Sequence, residues 1–148
     1  MKKEVSEIEG IITHILKSES DLRNNIEHKE LEKQDQLKEF ALSIIDVLDS
    51  IENIESSMIE RGLDKVEDVS KTMKRYHSVS KKLILILQKH GITRIDFPEN
   101  MMIADYCEVI EKQPDISKKN DEIVSIVRNG YIRGKELIRA AQVIIIRN

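Results

Sequence analysis

Residues 11–48 read IITHILKSESDLRNNIEHKELEKQDQLKEFALSIIDVL, and within them Ile15, Ile26, Leu37 and Leu48 recur every eleven residues. Ile11, Leu22 and Ile44 keep the same interval, with Lys33 interrupting the series. An eleven-residue period gives about 3.67 residues per turn, which favours a nearly straight or slightly right-handed helix pair over a left-handed heptad coil. The stripe lies in a proline-free region, since the two prolines are Pro98 and Pro114 and the glycines before them are Gly10, Gly62 and Gly91. One helix is predicted from about residue 3 to about residue 61, on the order of 90 Å at 1.5 Å per residue. A chain of 148 residues has no surface of its own that long. The helix is therefore expected to pair with a second copy through Ile15, Leu22, Ile26, Leu37, Ile44, Ile45, Leu48 and Ile51, loosely between His28 and Gln36, where only Leu31 is apolar.

A second helix is predicted over about 66–90, with Val66, Val69, Met73, Tyr76, Leu83 and Leu87 at three-and-four spacing and Ser80 as the polar exception. Lys89 and His90 suit its C-terminal dipole, and Gly91 can take the left-handed conformation that ends it. With Ile54 the end of the first helix carries a second apolar face, so two chains are expected to form a four-helix bundle with Leu83 and Leu87 in the interface. Residues 1–91 form a helical dimerisation domain on this reading.

Beyond Gly91 the period falls to two, over Ile92 to Phe97, Tyr106 to Ile110, Ile123 to Arg128 and Leu137 to Ile146. Residues 92–148 are expected to be a small all-β domain, with Asn129-Gly130 as a tight connection between strands, which makes the fold class α+β. Arg128, Arg133, Lys135, Arg139 and Arg147 stand against Glu136 alone near the C-terminus, so the last hairpin reads as a basic patch.

Composition narrows the function. A net charge of −3, from 24 Lys+Arg and 27 Asp+Glu, with 3% aromatic residues, argues against a nucleic-acid binder. No apolar stretch approaches the roughly 18 residues that span a bilayer and no signal core follows Met1, so a cytoplasmic protein without a membrane partner is expected. Cys107 is the one cysteine, which excludes an internal disulfide. No enzyme is expected. His14 and His28 are about 21 Å apart by helical rise and cannot share a metal. His77 and His90 read as solvated or capping residues, and Cys107 as an inert buried thiol. Gly130 and Gly134 lack the spacing and the following helix of a phosphate cradle. No catalytic residue, metal site or cofactor is expected, and the acidic faces of the first helix read as solvated flanks.

The segment Asn129-Gly130-Tyr131, followed by Ile138-Arg139-Ala140-Ala141-Gln142-Val143, resembles the C-terminal signature of the GrpE family, a Gly-Tyr pair and then an aliphatic-Arg-(Pro/Ala)-Ala-x-Val run. Gln88-Lys89-His90-Gly91-Ile92 is similar to the family's Lys-His-Gly-Val helix end, and Ser43 to Asp49 resembles its Pro-Val-Ile-Asp-Asn-Leu-Glu segment. The resemblance covers most of the chain. It implies a homodimeric exchange factor with long helices paired in parallel, whose β module wedges into the ATPase domain of a DnaK-type chaperone and lets ADP leave. It places the chaperone contact on Arg128, Gly130, Tyr131, Arg133, Lys135, Glu136, Arg139 and Ile145. Several positions depart from the family pattern. Glu136 stands where relatives carry an Arg, and Arg75 where a glycine is usual. Lys17 to Arg23 replaces an Asn-aromatic-x-basic-Arg cluster, Phe97-Pro98-Glu99-Asn100 replaces a Phe-Asp-Pro segment, and an acidic N-terminal tail is missing. The second reading is a coiled-coil adaptor that keeps the fold and tethers something other than a chaperone.

Overall fold

A computed structural model describes all 148 residues, in two compact units, Met1–Glu39 and Phe40–Asn148. Helix α1 runs without interruption over Lys2–Glu60, and so belongs to both. The first unit is entirely helical. Its i,i+4 ion pair Glu19–Arg23, at 2.7 Å, is exposed, and such a pair contributes only tenths of a kcal/mol, on the order of 0.3–0.5. Val5, Ile8, Ile12, Ile15, Leu22 and Ile26 stand open on the single chain, so the apolar stripe there has no cover.

In the second unit the end of α1 turns back through a 3₁₀ turn, Leu63–Lys65, into α2, Glu67–Lys89. Gly62 and Gly91 punctuate the helices as expected, with φ of 69° and 74°, a left-handed region that costs glycine nothing. At the second of these the Gly91 N–H donates to the Gln88 carbonyl at 2.9 Å, closing the helix end. Observed helix limits fall within one residue of those read from the sequence.

Six strands follow: β1 Ile92–Arg94, β2 Cys107–Gln113, β3 Ile123–Arg128, β4 Tyr131–Arg133, β5 Glu136–Arg139 and β6 Ala141–Ile146. They make two three-stranded sheets, β1-β4-β5 and β2-β6-β3. In the second, β6 is central, parallel to β2 and antiparallel to β3. The α+β class stands, with one correction to the strands. Leu137 to Ile146 is not one strand, because the chain leaves the first sheet after Arg139 and enters the second at Ala141. Asn129-Gly130 is the tight connection expected, between β3 and β4, and it carries the chain from the second sheet back to the first. Both crossings meet at one point. A Cβ on Gly130 would lie 2.6 Å from the Ala141 nitrogen and 2.6 Å from Ile95 Cδ1, so only a glycine lets the two crossings pass.

Two apolar cores result. Ala41, Ile45, Leu48, Leu87, Ile92, Tyr131 and Ile138 form the first, joining both helices to sheet β1-β4-β5. Ile95, Phe97, Ala141, Val143 and Ile145 form the second, between the sheets. Because the first core joins residues on both sides of Gly91, the end of α1, α2 and the strands share one compact unit. Four residues expected at a dimer interface, Ile45, Leu48, Ile51 and Leu87, are buried inside the single chain; the turn at Gly62 folds α2 and the strands onto that face of α1.

Gly130→Ala should destabilise the fold by about 1–3 kcal/mol through overpacking at the crossing, seen as a lower urea midpoint. Gly10→Ala, with nothing within 4 Å of its added Cβ, should be neutral or stabilising by up to about 1 kcal/mol. Equal midpoints for the two variants would contradict the close approach at Gly130.

Candidate functional site

On α1 the acids Asp46, Asp49 and Glu52 recur every three residues and so share one face. Strand ends opposite them supply arginines. Arg139, last in β5, grips Asp49 with two parallel bonds, Nη1 to Oδ2 at 2.7 Å and Nη2 to Oδ1 at 2.8 Å. Arg128, last in β3, donates from Nε to Asp49 Oδ2 at 2.8 Å and from Nη2 to Asp46 Oδ1 at 3.2 Å. Arg139 also donates to the Asn129 carbonyl at 2.7 Å, and the Asn129 amide donates to Glu52 Oε2 at 3.0 Å. Arg94, last in β1, pairs with Glu52 and donates from Nε to the Tyr131 hydroxyl at 3.0 Å. The Arg94 and Arg139 guanidinium groups lie 5.8 Å and 5.5 Å from the centre of the Tyr131 ring, within cation–π range.

Exposure separates the strong contacts from the weak ones. Asp46 is 69% exposed and its pair with Arg128 contributes little, whereas the side chains of Asp49 and Arg139 are 15% and 13% exposed. A bidentate pair so enclosed is strong, and removing one partner strands the other's charge. Burial pushes the Asp49 carboxyl upward. The hydrogen bonds and positive charges of Arg139 and Arg128 outweigh it and hold the group below its ordinary range. Burial likewise pushes the Tyr131 phenol above its usual value, the Arg94 hydrogen bond opposing it. Beside this network runs an open groove of about 600 Å³, with Asp46, Glu52 and Asn53 on the helix wall and Ile126, Val127 and Gln142 on the sheet wall.

The GrpE family profile matches residues 1–147, which takes in the long helix, the α2 end and the crossing of strands at Gly130. This chain belongs to the GrpE family. It is similar to Protein GrpE of Ehrlichia chaffeensis, 26% identical over 98% of this chain and 73% of the relative. It is also similar to Protein GrpE of Fusobacterium nucleatum subsp. polymorphum, 29% identical over 95% of this chain and 68% of the relative. Protein GrpE of Fusobacterium nucleatum subsp. nucleatum is 27% identical over 98% and 72%. Family membership makes the chain a GrpE-type co-chaperone.

Within this GrpE chain several C-terminal signature residues are enclosed in the fold. Gly130 permits the crossing, Tyr131 is 1% exposed in the first core, and Ile145 is buried in the second. Arg128 and Arg139 are held by the helix acids, so the expected basic patch is largely neutralised within the chain and the expected solvated flank of α1 is its counter-charge. Arg133 pairs with Glu136 at 2.6 Å. Lys135 and Glu136 remain exposed at the β4–β5 turn, and Val124, Ile126 and Val127 remain exposed on β3. Of the residues expected to pair chains, Ile15, Leu22 and Ile26 are open, and Leu37, Ile44 and Leu83 are half-buried.

Sequence reading missed Phe40 and Val47, which are exposed on α1 with Ile54; the seven-residue interval of the three was the available signal, hidden behind the eleven-residue one. It also missed the acid triplet, whose spacing of three was visible. No helix is long and apolar enough to cross a membrane, and no group of His, Cys, Asp or Glu is placed to hold a metal ion. Burial raises the Cys107 thiol pKa, the Ile103 backbone opposing it, which leaves the thiol protonated and inert at neutral pH.

Because Asp49 is depressed in the folded chain, its stabilisation is complete above the unfolded carboxylate pKa of about 3.9 and is lost as pH falls through the folded value. The stability gap between the parent chain and Asp49→Asn should therefore be constant from pH 7 to about 5 and shrink below about pH 4. Urea melts across that range measure it, and a gap that widens on acidification would refute the pairing.

Proposed function

We propose that this chain is a nucleotide-exchange factor that acts as a homodimer on the ATPase domain of a DnaK-type chaperone and promotes release of ADP. Family membership supports the class, and one observation carries the site. The β module keeps its arginines in internal pairs while Val124, Ile126 and Val127 on β3, with Lys135 at the neighbouring sheet's turn, face solvent. An edge strand with apolar side chains on both of its faces is a surface that a partner can cover. Exchange then needs no chemistry. A protein that prefers the open nucleotide cleft must weaken ADP binding by the same factor by which ADP weakens its own.

The homodimer is supported by uncovered apolar residues on the helices. Phe40, Val47 and Ile54 on α1, with Val79, Leu85 and Ile86 on α2, are exposed in the single chain. That face lies apart from the core residues Ile45 and Leu48, with Ile51 between Val47 and Ile54 on the face itself, so pairing through it leaves the protomer core intact. Parallel pairing of the long helices and a four-helix bundle remain the arrangement we propose, with Phe40, Val47 and Ile54 taking the place of the buried residues. Sedimentation velocity should give twice the chain mass at micromolar concentration, and Val47→Asp should lower it to one chain mass without loss of helix content.

Release of fluorescent ADP from the chaperone of the same genome tests the activity. The protein should accelerate it, and Val127→Asp should raise the half-saturating concentration about tenfold or more by placing a charge in an apolar contact. Binding without acceleration would favour the adaptor reading. Glu136→Arg should improve exchange on a generic bacterial DnaK and weaken it on the cognate one, although loss of the Arg133 pair moderates the effect. Identical affinities in every pairing would place Glu136 outside the contact.

A further inference from the structure

We infer that Asp49 is a positioning residue for exchange, the point on α1 where both β sheets are fixed, and that Arg128 and Arg139 are its mounts and do not contact the partner. For its exchange readout this inference rests on the function proposed above.

The geometry singles out Asp49 among the acids. Its two carboxylate oxygens accept three bonds, from Arg139 twice and from Arg128 once, at 2.7–2.8 Å. The two arginines come from different sheets, for Arg128 ends β3 of sheet β2-β6-β3 and Arg139 ends β5 of sheet β1-β4-β5. Each is the last strand residue before the chain changes sheet. A single carboxylate therefore clamps both crossings to the helix. Apolar packing does this only for the first sheet, since the core under the second contains no residue of α1. The second sheet carries Val124, Ile126 and Val127, the surface assigned to the partner. Arg128 is the β3 residue that reaches the helix acids, so the direction in which that surface points depends on this contact. Arg139 further donates to the Asn129 carbonyl at 2.7 Å, which ties the first crossing to the same arginine.

If the arginines touched the partner directly, removing Asp49 would free them and strengthen binding. If they are mounts, removing either end has the same result. The test uses the full chain in a Tyr76→Phe, Tyr106→Phe background, where Tyr131 is the sole tyrosine and its quenching by acrylamide reports opening beside Arg139. Asp49→Asn keeps the shape and removes the charge. It should raise quenching severalfold, slow stimulated ADP release about tenfold, as expected for loss of charge-assisted bonds, and leave helical circular dichroism unchanged. Arg139→Gln should do the same, and the double variant should be no worse than the worse single one. Asp49→Glu, which keeps the carboxylate, should retain exchange within a few-fold. The inference is overturned if Asp49→Asn leaves release unchanged or faster while Arg139→Gln slows it, if the two losses multiply, or if Tyr131 stays as protected as in the parent. Should the parent itself fail to accelerate ADP release, the proposed function fails, and quenching across the same variants still decides whether Asp49 is the mount.

Discussion

The carboxylate of Asp49, held between two arginines, is the contact on which the arrangement of this chain turns. It sits on a helix face with Asp46 and Glu52, one residue along from the core residue Leu48, so the apolar and charged seams of α1 run side by side. Burial of Ile45 and Leu48 supplies the larger stabilisation, roughly 1.5–3 kcal/mol for each side chain. Apolar burial is non-directional and tolerates sliding. The bidentate pair is directional and converts a contact into a fixed orientation.

Much of this was legible in the chain before any coordinates. Absence of proline before Pro98 and the placement of Gly62 and Gly91 defined two helices to within a residue, because helix punctuation is local chemistry. The change to period two after Gly91 marked the β module. What the sequence concealed was long-range. Leu137 to Ile146 is one unbroken β-favouring run, and only the approach of Gly130 to Ala141 explains why it divides between sheets. The acids at 46, 49 and 52 look like any solvated flank until arginines some 40 to 90 positions away fold onto them.

The site residues show the same division. The motif residues Gly130, Tyr131 and Arg139 read from the sequence as a partner surface, and in the fold they are enclosed or paired within the chain. The residues left on the surface, Val124, Ile126 and Val127, carry no motif. An alternating strand pattern predicts one buried face, and β3 departs from it because it is an edge strand whose neighbour β6 is the one covered on both sides. Sequence periodicity cannot tell edge from centre.

The centrality of β6 has a consequence for how the molecule is made. Its residues, Ala141–Ile146, are the last strand of the chain, yet they alone pair with both β2 and β3. During synthesis β2 and β3 emerge before β6 and have no partner until it follows them. The second sheet closes in one late, non-local event, which carries the loop-closure cost of joining Cys107 to Ala141. A chain cut short at Arg139 would retain both helices and most of the first core while exposing two unpaired strand edges. A quality-control protease or holdase chaperone would therefore read closure of the second sheet from the arrival of β6.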